Sequence, residues 1–92
     1  MALKWTRSAA RHGVAQEDAL HAILNHRYRV EDFDEPRAGS FGRPDLFIGP
    51  PRDGSVLLEV KAVITPPDDF VIFHVMEARA KILRIAEKGG KQ

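Results

Sequence analysis

Residues 56–76 read Val-Leu-Leu-Glu-Val-Lys-Ala-Val-Ile-Thr-Pro-Pro-Asp-Asp-Phe-Val-Ile-Phe-His-Val-Met. Two apolar, β-branched runs flank Thr65-Pro66-Pro67-Asp68-Asp69, a pairing that predicts strands over residues 56–64 and 70–75 joined by a tight turn. Upstream, Leu46-Phe47-Ile48 forms a third strand. The turn Gly49-Pro50-Pro51-Arg52-Asp53-Gly54 links it to the second. Connections this short force antiparallel neighbours, because parallel strands need a crossover of a dozen or more residues.

On either side of this meander the hydrophobic period lengthens to that of a helix. Thr6 is placed to cap a short helix ending at His12, with Gly13 as the left-handed residue beyond it. A second helix is expected over 15–25, with Leu20, Ile23 and Leu24 inward and Asp18, His21 and Asn25 outward; Glu17 and Asp18 suit its N-terminal dipole. Residues 28–33 make a weaker strand, followed by a loop carrying Gly39, Ser40 and Gly42. A closing helix is expected over 76–88, with Ala78, Ile82, Ile85 and Ala86 on one side and Glu77, Lys81, Arg84 and Lys88 on the other. The expected fold is one α+β domain spanning residues 1–92. It has two N-terminal helices, an antiparallel sheet of three to four strands, a C-terminal helix and a fraying tail at 89–92.

The 92 residues are 43% hydrophobic and 29% charged, a balance that folds. Net charge is only +1, too little for a general field attracting nucleic acid. Both ends are nevertheless basic, around an acidic block of Glu31, Asp32, Asp34 and Glu35, a pattern that fits a local anion site or a solvated surface equally well. There is no cysteine, which excludes disulfides, cysteine-type zinc sites and thiol nucleophiles. With no signal-peptide core and no membrane-length apolar run, the expected compartment is a reducing cytoplasm.

Strand alternation puts Val56, Leu58, Val60, Ala62 and Ile64 on one face, the core, and Leu57, Glu59, Lys61 and Val63 on the other. A carboxylate and an ammonium two residues apart are most simply a solvated sheet face. Together with Pro44-Asp45, separated from it by thirteen intervening residues, Glu59-Val60-Lys61 also resembles the signature of the PD-(D/E)xK nucleases. That resemblance implies a divalent metal held by Asp45 and Glu59, with Lys61 helping to activate water.

A second pair of residues carries different chemistry. His74 lies near the end of the last strand, on the face of Phe70 and Ile72 by alternation, and Arg79 lies in the first turn of the closing helix. A histidine moves protons near neutral pH, and an arginine holds phosphate oxygens in a fork. RNA carries its own nucleophile, the 2′-hydroxyl, so base, acid and cation suffice to cleave it. The plain alternative is a core-edge histidine bonded to backbone beside a surface salt bridge. Among the other histidines, His12 suits a helix C-terminus or a place near the sheet, His21 is expected in solvent, and His26 neighbours Arg27 and Arg29. No histidine pair has zinc-ligand spacing with a third ligand nearby, so neither a metal nor another cofactor is expected.

Trp5, Ala10-Arg11-His12-Gly13-Val14 and Glu17-Asp18-Ala19-Leu20 resemble the opening of BrnT-type toxins, within the RelE/ParE-like toxin group. Ile48-Gly49 and Asp53-Gly54 resemble that family's glycine-bounded hairpin, and Met76-Glu77-Ala78-Arg79 its closing Ile-Ser-Ala-Arg. The resemblance covers nearly the whole chain. It implies a RelE-like fold and the toxin of a type II toxin–antitoxin pair: a metal-independent endoribonuclease acting on mRNA, free or on the ribosome, and neutralised by a cognate antitoxin. Neither a membrane nor a small-molecule substrate is implied. Arg79 falls on the arginine of the family's Ala-Arg. His74 stands where the family has an arginine, and Pro50 and Ser55 stand where basic residues are usual. The expected site is His74 as general acid or base, Arg79 on the phosphate, Lys61 as a second cation, and Glu59 as proton acceptor or positioner of Lys61. The lost basic residues favour an alternative, a non-catalytic module of the same fold that binds an antitoxin-like partner through its terminal helix.

Overall fold

A computed structural model of the chain describes residues 3–33, 43–65 and 69–89. The expected loop at Gly39, Ser40 and Gly42, the Pro66-Pro67 turn, Asp34 and Glu35 of the acidic block and the tail beyond Gly89 lie outside those residues. The elements run β1 (Leu3–Trp5), a 3-10 helix (Ala9–His12), α1 (Gln16–Leu24), β2 (Tyr28–Val30), β3 (Asp45–Gly49), β4 (Leu58–Thr65), β5 (Asp69–Glu77) and α2 (Ala80–Gly89).

The α+β class and the antiparallel β3–β4–β5 meander agree with expectation. The sheet is larger and mixed: five strands in the order β1-β5-β4-β3-β2, with β1 parallel to β5. The expected first helix is a single 3-10 turn, ended as foreseen by Gly13 at φ 71°. Before it, Leu3, Lys4 and Trp5 pair with Phe70, Val71 and Ile72, a non-local contact that no local pattern announces.

The helices cover opposite faces of the sheet. Ala19, Ala22 and Ile23 of α1 join Ala9, Phe47, Leu58, Val60, Ala62, Ile72 and Val75 in one buried cluster. Ile82 and Ala86 of α2 pack on Leu46 and Ile48 from the other side. Both faces of β3 and β4 are therefore interior, which explains their nearly unbroken apolar sequence. It also corrects two inward assignments: Leu24 and Ile85 are exposed, while smaller alanines occupy the contact. The approach of α1 to β3 is close enough that a Cβ on Gly49 would be driven into the carbonyl of Ala22.

β5 holds the irregularity that shapes the site. Lys61 pairs with His74 but the next residue, Ala62, pairs with Ile72, leaving Phe73 as an extra residue. Such a bulge breaks alternation. His74 therefore lies on the face of Lys61 and Glu59, opposite Ile72, which corrects the simple face assignment. Further along, Met76 and Glu77 remain in the strand, so α2 begins four residues later than expected. Arg79 precedes α2 and caps it, its carbonyl accepting from the amides of Ile82 and Leu83.

Candidate active site around Glu59

Glu59 pairs with Ile48 on one side and Met76 on the other, on the face that α2 covers, and is completely buried. The solvated-face expectation fails here because Arg79, leading into α2, and His74 close over the carboxylate. A buried carboxylate must be satisfied, and every acceptor position is used. Oε1 accepts from the backbone N–H of Arg79 at 2.9 Å and from its Nε at 3.1 Å. Oε2 accepts from Arg79 Nη2 at 2.7 Å and from His74 Nε2 at 2.8 Å. The fork of Arg79 thus grips both oxygens while its backbone pins the start of α2 to the sheet.

Exposure grades outward across this group. The Glu59 side chain is 0% exposed, that of His74 23% and that of Arg79 41%. Three of the four expected site residues therefore converge, and His74 and Arg79 meet on a single oxygen of Glu59. Lys61, the fourth, lies directly across from His74, with its ammonium 5.3 Å from the centre of the Phe33 ring. Glu59 bonds His74 and Arg79, where it was expected as proton acceptor or as positioner of Lys61.

The charges can be assigned from these contacts. Burial pushes the Glu59 carboxyl up, but the Arg79 side chain and amide together with His74 outweigh it and hold it below the ordinary 4.5. Burial lowers His74 below 6.5; Glu59 pulls it back up, while the positive charges of Lys61 and Arg79 lower it further. The Glu59 contact, chiefly its hydrogen bond, raises Arg79. At neutral pH these directions favour an ionised Glu59, a charged Arg79 and a neutral His74. A carboxylate only accepts, so the proton of neutral His74 sits on Nε2. Nδ1 then carries the lone pair, and among the described residues nothing donates to it. This is the arrangement of a general base whose tautomer is set by an acid behind it.

Asp45 lies elsewhere. It pairs with Ala62, on the α1 face, opposite the face of Glu59. Its carboxylate accepts from Arg29 Nη2 at 2.7 Å and from the amide of Asp32 at 2.9 Å, where the chain turns with φ 52°. The sheet separates the two acids of the PD-(D/E)xK pattern, so no ion can bridge them. Among the described residues no three histidines or acids are grouped to hold a metal.

Of the remaining histidines, His21 and His26 are bonded to backbone. His21 Nδ1–H donates to the Pro50 carbonyl at 2.9 Å, tying α1 to the β3–β4 turn instead of facing solvent. His26 donates to Ile23 at 2.8 Å and packs on Phe47, so it is structural. His12 stands edge-on to His74, with ring centroids 5.8 Å apart. Sequence reasoning allowed His12 a place near the sheet but gave it no role; the bulge that turns His74 toward it has no sequence signature. Among the described residues no helix is long and apolar enough to cross a membrane. Comparison with family models, curated proteins and solved structures returned no match.

Proposed function

We propose that the chain is a metal-independent endoribonuclease, the toxin of a toxin–antitoxin pair, acting in the cytoplasm on mRNA. The observation that carries this reading is His74 Nε2 held 2.8 Å from an oxygen of a fully buried Glu59 that Arg79 also grips. His74 Nδ1 takes the proton of a ribose 2′-hydroxyl, whose oxygen attacks the adjacent phosphorus. The outer N–H groups of Arg79 and the ammonium of Lys61 balance the charge that grows on the phosphate oxygens. No bound ion is needed, since the substrate supplies the nucleophile. The toxin assignment and its antitoxin partner rest on the resemblance of the His12-Gly13-Val14 and Ala78-Arg79 stretches.

The test is incubation of purified chain with long single-stranded RNA, naked and under translation, the naked arm in excess EDTA, with His74→Ala alongside. Expected are fragments ending in 2′,3′-cyclic phosphate and 5′-hydroxyl, absent with the variant. A wild type that cleaves under neither condition refutes the ribonuclease reading. The non-catalytic module then takes its place; Lys81, Arg84, Ile85 and Lys88 on the outer side of α2 motivate it.

A further inference from the structure

The base described above accounts for one proton, whereas strand scission moves two. The 5′-oxygen leaves as a poor anion unless an acid protonates it. We infer that His12 is that acid, the second half of a two-histidine site; this rests on the ribonuclease reading.

The geometry is built, not incidental. The 3-10 helix carrying His12 is fastened to β5 at the bulge itself: Ser8 Oγ donates to the carbonyl of the extra residue, Phe73, at 2.7 Å. Thr6 Oγ1 accepts from the amide of Ala9 at 3.2 Å and shares a hydrogen bond with Ser8 at 3.1 Å. The Thr6 amide bonds Ile72 at 3.2 Å, extending the β1–β5 pairing up to the bulge. Ala9 is wholly buried, and Gly13 ends the turn. The same distortion thus turns His74 toward Glu59 and seats His12 beside it. His12 is exposed, and among the described residues its ring has no hydrogen-bond or ion-pair partner, only the edge contact with His74.

The step balances with these two groups. His74 Nδ1 accepts the 2′-hydroxyl proton as the 2′-oxygen–phosphorus bond forms. The phosphorus–5′-oxygen bond breaks with its electron pair going to oxygen, and the imidazolium of His12 donates its proton there. Products are a 2′,3′-cyclic phosphate and a 5′-hydroxyl. Proton exchange with water restores both rings.

An acid is recognised by its dependence on the leaving group. His12→Ala and His74→Ala are compared with wild type on RNA, under whichever condition the wild type cleaves, and on uridine 3′-(4-nitrophenyl phosphate), whose leaving group departs unprotonated. His12→Ala is expected to slow RNA cleavage by about 10²–10⁴-fold while staying within about threefold of wild type on the nitrophenyl ester. His74→Ala should slow both. Thermal melts establish that the variants are folded. Equal losses on both substrates from folded His12→Ala, or no loss on RNA, overturn the acid role while leaving the ribonuclease reading standing. A wild type inert on RNA overturns both.

Discussion

Replacing Glu59 by glutamine keeps its size and removes its charge, and the consequences follow from the four hydrogen bonds it accepts. If the glutamine oxygen takes the Oε1 place, the amide and Nε of Arg79 keep an acceptor, now neutral and weaker. The glutamine NH₂ then occupies the Oε2 place and meets two donors. Arg79 Nη2 has nothing to accept with, so that bond is lost. His74 can shift its proton to Nδ1 and accept through Nε2. A hydrogen bond to a charged group is worth about 1.5–3 kcal/mol. Arg79 is partly exposed, so water recovers some of the loss, and the net cost comes to about 2–4 kcal/mol. A domain of this size stands at about 5–15 kcal/mol, so the variant remains folded. Its melting temperature should fall by roughly 10–25 °C.

Activity should suffer more than stability. With its proton on Nδ1, His74 presents a donor where a base is needed, and a histidine base fixed in the wrong tautomer loses on the order of 10⁴-fold in turnover. Three measurements check this: thermal unfolding followed by Trp5 fluorescence, ¹⁵N shifts of the His74 ring, and RNA cleavage. A Glu59→Gln protein that melts within about 2 °C of wild type and keeps the Nε2–H tautomer refutes the account of the cluster.

Stability should fall on acidification in two stages. His74 is held below 6.5, so the fold favours its neutral form; that contribution is intact above 6.5 and drains away below it. Glu59, held below 4.5, contributes above that value and loses its contribution as the pH falls through its lower folded value. Denaturation midpoints across this range check both, and a first stage that persists in His74→Asn would contradict the assignment. Gly49→Ala should cost about 1–3 kcal/mol or more, because the obstruction is the Ala22 backbone and not a side chain that can turn away; an unchanged midpoint would show that α1 sits farther from β3. Asp45→Asn should cost about 1–3 kcal/mol by weakening the Arg29 and Asp32 contacts. Cleavage per folded molecule should be unchanged, and a loss of about tenfold or more would restore Asp45 to the chemistry.

What was legible in the sequence was local. Gly49, Pro50 and Gly54 mark the β3–β4 connection, and connections as short as this one and the β4–β5 one leave the strands only antiparallel pairing. Glu59 and Lys61 share a face because alternation within one strand is geometric. What was not legible depends on contacts between distant segments. β1 is three residues with a lysine at its centre, and becomes a strand only because β5 offers an edge. Nothing in residues 57–63 says whether solvent or Arg79 and His74 lie over Glu59. The Phe73 bulge inverted the assignment of His74: counting residues from Ile72 puts the imidazole on the wrong side of the sheet. Leu24 and Ile85 read as core because helical periodicity weighs apolar size, whereas close helix-to-sheet contact selected alanine.

The burial of Glu59 is itself an argument for function. A position between Ile48 and Met76, on the face where Ile82 and Ala86 of α2 pack, would accept leucine or methionine, and exchanging a buried ion pair for apolar side chains is commonly neutral or stabilising. Arg79 balances the charge of the carboxylate and contributes three of its four bonds. The fourth comes from His74, a residue that the carboxylate does not need for charge balance and whose own protonation is disfavoured there. What that bond does accomplish is to fix the ring's tautomer and direct the unprotonated nitrogen away from Glu59. The same bond fills the last acceptor position of the buried carboxylate, so it serves the fold and the proposed base together.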